Sequence, residues 1–199
     1  MSLGQGLKDS RVAQLIAQTW YHGTFTLPPE RQQWHPFTHL GARETAIEVL
    51  TDRYCLDGAT GQPHLASFTV PEDLNLLDVA DFDSPDPAVW IRRLRSDKRF
   101  FPSWDHAIPL CRQLKGSPED RPARLAVFGT WLKGFGYDGF QYINTHEGNG
   151  ALSMALADPS RLRPLATEVV DLSELRLCYE GIKHKPKYRA LGCTGFPPR

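Results

Sequence analysis

Three short stretches of the 199-residue chain gather side chains that can do chemistry. Tyr21-His22-Gly23-Thr24 sets an imidazole and a hydroxyl beside a glycine. His35-Pro36-Phe37-Thr38-His39 sets two imidazoles and a hydroxyl around an aromatic ring, and Asn144-Thr145-His146-Glu147-Gly148 brings a carboxylate to the end of a strand-like run. A carboxylate held at such a point can stabilise positive charge that builds in a transition state, or activate an incoming nucleophile. A metal centre is the other chemistry these types allow, because His35 and His39 have the i,i+4 spacing of zinc-binding helices and His22 offers a third ligand. Pro36 argues against it by pushing His35 towards an extended conformation, so no metal is expected.

The elements that must position these groups follow from periodicity. Val12, Leu15, Ile16 and Thr19 recur at helical spacing behind Asp9 or Ser10, and "WYHGTF" then reads as a strand entering a proline-broken loop. "ARETAIEVLTDRY" predicts a helix with Ala46, Val49, Leu50 and Arg53 on one face and Glu44 and Glu48 on the other. "HLASFTV" has strand alternation with Ala66, Phe68 and Val70 inward, and the polar stretch up to Asp86-Pro87 reads as a connector into a helix through "AVWIRRLRSD". A third helix is capped by Ser117, has Pro118 at its first position with Asp120 completing the capping box, carries the stripe Leu125, Phe128, Leu132, and stops at Gly134. "GFQYIN" and "ALSMALA" are neighbouring strands joined by the glycine-bearing turn "THEGNG". Lys183, Lys185, Lys187 and Arg189 mark a basic, solvated tail over 181–199. The expectation is one α+β domain over residues 1–199 with its core at about 20–180.

Composition excludes several classes. Hydrophobic residues at 41% support a folded core, and Lys+Arg and Asp+Glu balance at 23 each, leaving no global field to attract nucleic acid or an anionic membrane. "IRRLRSDKR" at 91–99 is a local exception, equally well explained as a solvated helix face. No apolar run spans a bilayer and the start lacks a signal-peptide pattern, so a cytosolic protein is expected, or one delivered to a target cell by a route not encoded as a signal peptide. Cys55, Cys111, Cys178 and Cys193 form no CxxC pair and are expected as free thiols, two or more of them buried. Dinucleotide-binding and phosphate-loop glycine motifs are absent.

Taken in order, "YHGT", "PFTHLGARETA", "GYDGFQYINTHEG" and "LSMALADPSRL" carry a family likeness. The sequence resembles the ADP-ribosyltransferase superfamily, in particular the His/Tyr/Glu branch with the poly(ADP-ribose) polymerases and many toxin- and phage-encoded domains. The likeness spans residues 20 to 165, including Leu77-Asp78. It implies a split β-sheet core with flanking helices, NAD as substrate, and no metal. It implies Glu147, His22 and His39 as catalytic residues, with Tyr21, His22, Gly23, Thr24, Phe37, Thr38, Tyr142 and Asn144 around the cofactor. The second motif departs from the family's usual Tyr or Phe, leaving Phe37, Thr38 or His39 to fill its place.

Cleaving nicotinamide from NAD expels a neutral leaving group while positive charge builds on the sugar, so one carboxylate matters most, and Glu147 fits that need. The resemblance gives His22 to the adenosine-side ribose and His39, or Thr38, to the nicotinamide pocket. The implied reaction is mono-ADP-ribosyl transfer to a macromolecule, protein or nucleic acid, or NAD hydrolysis. An NAD-dependent RNA 2'-phosphotransferase using Arg43 and Arg53 is one alternative, and a non-catalytic binding module is another. Position 145 is Thr, so the Glu-x-Glu pattern linked to arginine acceptors is absent.

Overall fold

Gly23 is where the first strand meets the first helix, since a Cβ there would lie 2.6 Å from both the Ala46 carbonyl oxygen and Leu50 Cγ. Only glycine lets the backbones approach this closely. The computed structural model describes residues 18–26, 34–82, 84, 86–94, 109, 112, 114, 120–148, 150–193 and 195–197. The expected helix over 9–19 lies largely outside them, as do Ser117, Pro118 and Cys111.

The strands are β1 (Trp20–Thr24), β2 (His39–Leu40), β3 (His64–Thr69), β4 (Leu76–Asp78), β5 (Gly139–Ile143), β6 (Leu152–Leu156) and β7 (Arg163–Val169). The helices are α1 (Arg43–Cys55), α2 (Pro87–Leu94), α3 (Arg121–Gly134), α4 (Leu172–Ile182) and α5 (Pro186–Ala190). Two sheets form, a three-stranded one in the order β1-β3-β7 and a four-stranded one in the order β2-β6-β5-β4. All pairings are antiparallel except β4 with β5. The sheets are stitched where Tyr21 N–H donates to the Gly41 carbonyl (2.9 Å) and Gly41 N–H returns to Tyr21 (3.0 Å). The fold class is therefore α+β, as expected.

The core has three parts. Trp20, Leu40, Phe68, Met154 and Leu156 form one cluster, drawn from strands of both sheets. Phe37, Trp90, Phe128, Leu132 and Phe140 join α2 and α3 to the four-stranded sheet. Ile47, Leu50, Leu65 and Leu175 lock α1 between the smaller sheet and α4.

Several expectations are corrected. Glu48 is buried at 4% exposure, because α4 and α5 cover the side of α1 that amphipathic spacing assigns to solvent. The polar connector before Asp86 contains β4, held by its parallel ladder to β5. Helix α3 begins at Arg121 after Asp120, with Pro122 in its first turn. It ends at Gly134, as expected, and the chain turns away through Gly136, which has φ +81: its N–H bonds the Lys133 carbonyl, and Tyr137 N–H bonds that of Leu132. The C-terminal segment is not a solvated tail, since Tyr188 is fully buried and Lys187 reaches back to Asp52. Cys55, Cys178 and Cys193 are free but half-buried. No helix of the described residues is long and apolar enough to cross a membrane.

Candidate functional site

Both sheets contribute to one concave surface. Tyr21, His22, Gly23 and Thr24 of β1, Phe37, Thr38 and His39 at the entry to β2, and Tyr142, Asn144 and Glu147 at the end of β5 all line one cleft of about 630 Å³. Glu147 is the only carboxylate among its described lining residues, and Arg53 and Arg121 are its cations.

The imidazoles are wired into the scaffold. His22 Nδ1 lies 2.9 Å from the His39 carbonyl oxygen. A carbonyl only accepts, so Nδ1 carries the proton and Nε2 is left as an acceptor. Burial, with the Arg53 charge adding to it against the hydrogen bond to His39, lowers the His22 pKa from 6.5 to about 4. His39 Nδ1 lies 2.7 Å from the Tyr142 hydroxyl. Burial pushes the Tyr142 phenol up, so it stays neutral and shares one proton-bearing hydrogen bond with His39 Nδ1. His39 is exposed to solvent and lines the cleft. Its pKa also falls to about 4, by burial first and then the charges of His22, Arg121 and Arg53, against the pull of Asp81. The pair is neutral at pH 7, and His22 offers Nε2 as an acceptor.

Glu147 is held by local chemistry. Asn144 Oδ1 accepts the N–H groups of His146 (3.0 Å) and Glu147 (2.9 Å), a side-chain mimic of a backbone turn. The turn closes with Gly148 at φ +65, where a Cβ would lie 2.0 Å from Thr45 Oγ1. The Glu147 side chain is 24% exposed and its Oε1 lies 3.8 Å from Lys187 Nζ. Asn144 is thus an orienting residue, buried at 5% exposure.

The three candidates for the second motif separate by their bonds. Thr38 Oγ1 donates to the His35 carbonyl at 2.7 Å, closing a turn, so its hydroxyl is already used. Phe37 is 3% exposed, has φ +58, and its ring stacks on Phe140 at 5.6 Å within the aromatic core. His39 is the one whose side chain is offered to the cleft. Thr24 is likewise spent locally, its Oγ1 bonding the Thr26 carbonyl at 2.8 Å. The metal-helix spacing of His35 and His39 does not hold, since the intervening residues form a turn into β2. Among the described residues no group of three or more His, Cys, Asp or Glu is gathered to hold a metal ion.

Several lining residues escaped sequence reasoning. Trp34 edges onto the His22 ring at 5.3 Å and supplies an aromatic wall. Thr45 and Ser153, at 3% and 2% exposure, line the cleft with hydroxyls that have no hydrogen-bond partner among the described residues. The Ser153 hydroxyl acts on the Tyr142 phenol, holding its pKa down against burial, so Thr45 is the clearer open group. Thr45's only sequence signal is a hydroxyl in the first turn of an otherwise apolar helix face. A second cavity of about 430 Å³ shares His39, Arg121, Tyr142, Asn144 and Glu147 with the cleft and is walled by Asp81 and Trp90 among others. Arg92 and Arg93 of the basic run are exposed, and Arg93 donates to the Asp81 carbonyl at 2.8 Å.

Comparison with protein-family models, with curated proteins and with solved structures finds no match for this chain.

Proposed function

We propose that this chain is an NAD-dependent mono-ADP-ribosyltransferase, and that its two stitched sheets are the split-sheet core of that superfamily. The observation that carries the reading is the charge layout of one cleft. Among the described lining residues one carboxylate, Glu147, shares the cleft with two neutral imidazoles and two cations, Arg53 and Arg121. NAD has the complementary layout, a pyridinium cation at one end and two phosphates in the middle. The family resemblance of the same three segments supports the same conclusion.

In this reading His22 Nε2 accepts a hydrogen bond from a ribose hydroxyl, and Trp34, Tyr21 and Tyr142 wall the flat rings. Thr45 is free to bond the carboxamide. The bond between the ribose carbon and the nicotinamide nitrogen breaks with its electron pair leaving on nicotinamide. Glu147 stabilises the sugar cation that develops, in a site whose dipoles are already set by the Asn144 turn. An acceptor nucleophile then bonds to the same carbon and gives its proton to Glu147, which passes it to solvent. The second cavity is also lined by Glu147, and in this reading it takes that acceptor.

The RNA 2'-phosphotransferase alternative loses one of its two cations. Arg43 is engaged by Glu174 (2.5 Å) and Glu168 (3.0 Å) and does not line the cleft. The test is nicotinamide release from NAD by the purified chain. Release that saturates with NAD supports the reading. A folded protein that binds NAD without release is a binding module, and one that neither binds nor cleaves NAD refutes the proposal.

A further inference from the structure

The most heavily bonded ionic cluster of the described chain lies outside the cleft, and the chemistry above does not use it. Glu48 on α1, at 4% exposure, accepts Lys185 Nζ at 2.5 Å and Lys187 Nζ at 3.1 Å through Oε1. Its Oε2 accepts the Gly148 N–H at 3.0 Å. The His146 carbonyl accepts the same two lysines, at 3.2 and 3.4 Å. Lys187 is anchored by Asp52 at 2.5 Å, and Asp52 also accepts the Tyr188 hydroxyl at 2.6 Å.

We infer that Glu48, Lys185 and Lys187 are positioning residues for Glu147, so that the last helix of the described chain reaches back and fixes the turn that carries the catalytic carboxylate. The catalytic part of this inference rests on the NAD reading; the tether itself does not. Burial alone raises a carboxyl's pKa, yet Glu48 lies below the usual range because Lys185, the Gly148 N–H and Lys187 outweigh that penalty. A buried ion pair of this kind contributes little net stability compared with an apolar replacement, so its use is in specifying one arrangement. What it specifies here is the turn. His146 is held by its carbonyl and Gly148 by its N–H, so the residues on both sides of Glu147 are pinned to groups from α1 and from the Lys185–Lys187 segment. Lys187 also stands 3.8 Å from Glu147 Oε1, too far for a hydrogen bond but close enough to steer the carboxylate. Thr45 rests against Gly148 from the same helix, which closes the remaining side.

The test uses the full chain with Lys187→Met, Lys187→Arg and Glu48→Gln. Lys187→Met leaves Glu48 paired with Lys185, so it is the variant most able to fold. The kcat for nicotinamide release should fall about ten- to a hundredfold per folded molecule, the usual consequence of loosening a reacting group. The KM for NAD should change less than about twofold, because the cleft walls are untouched. Lys187→Arg should recover most of the kcat. A merely structural lysine would lower the melting temperature and leave kcat per folded molecule unchanged, and that result overturns the inference. Hydrogen exchange of the Gly148 amide gives an independent readout, faster in Lys187→Met and Glu48→Gln if the tether is real. Unchanged exchange in folded variants overturns it. If the wild type releases no nicotinamide, the NAD reading fails, while faster Gly148 exchange still supports the tether.

Discussion

Replacing Gly148 with alanine tests the packing of the Glu147 turn on α1. The new side chain meets two separate penalties. At φ +65 an L-residue with a Cβ costs about 1–2 kcal/mol relative to glycine. The Cβ itself would lie 2.0 Å from Thr45 Oγ1, 3.0 Å from Thr45 Cβ and 3.2 Å from Ala151 Cβ. Turning the Thr45 rotamer removes the first contact but not the second, because helix α1 fixes that Cβ. The turn must therefore move, and overpacking of this kind costs about 1–3 kcal/mol. Together the terms come to roughly 2–5 kcal/mol, a drop of about 5–15 °C in melting temperature for a chain of this size. Thermal melts of Gly148→Ala, Thr45→Gly, which removes both the hydroxyl and the Cβ, and the double variant form a cycle. The double variant should recover the steric part and keep the backbone part, a coupling of about 1–3 kcal/mol. A Gly148→Ala protein that melts within a degree of wild type, or a cycle with no coupling, refutes the account of how this turn is held.

Thr45→Val, which keeps the buried methyl and replaces only the hydroxyl, should leave stability in the absence of ligand nearly unchanged, because that hydroxyl has no partner among the described residues, yet should weaken NAD binding about five- to tenfold. Titration with NAD followed by melting shift checks both halves, and an equal effect with and without NAD counts against an open hydroxyl. Burial holds the His22 pKa at about 4 in the folded chain against 6.5 when free. Between those values the unfolded chain binds more protons, so stability is fully present above about pH 6.5 and declines as pH falls towards 4. Urea midpoints for wild type and His22→Asn over pH 7.5 to 4.5 test this. The variant should have the shallower slope, and identical slopes contradict neutral burial of His22.

Most of the site was legible in the sequence, because it sits where strands end and glycines recur. "YHGT" and "YINTHEG" each carry their own turn chemistry, and Asn144 orienting Glu147 is a local effect three residues long. What the sequence concealed came from distant partners. Glu48 has the spacing of a solvent-facing acid, and only the return of α5 onto α1 makes it a buried one. Lys185 and Lys187 look like a soluble tail for the same reason. Strand β4 is three residues in an aspartate-rich stretch, with no alternation to betray it, and forms because β5 offers a parallel edge. All seven residues of β7 are exposed, so burial left no pattern there, and its ladder with β3 alone defines it. The choice among Phe37, Thr38 and His39 depended on a turn hydrogen bond and an aromatic stack, neither of which spacing reveals.

The carboxylate is where the account is most exposed to a single measurement. Glu147→Gln keeps the shape and the hydrogen-bonding reach of the side chain and removes only its charge. Losing one preorganised charge-stabilising group costs on the order of 100- to 1000-fold in turnover. Nicotinamide release should be followed over a range of NAD concentrations, with melting curves to establish that the variant is folded. The account predicts a kcat at least about a hundredfold below wild type, with a smaller change in KM. A folded Glu147→Gln protein that keeps more than about a tenth of wild-type turnover contradicts it, because the developing sugar cation would then be stabilised by something else.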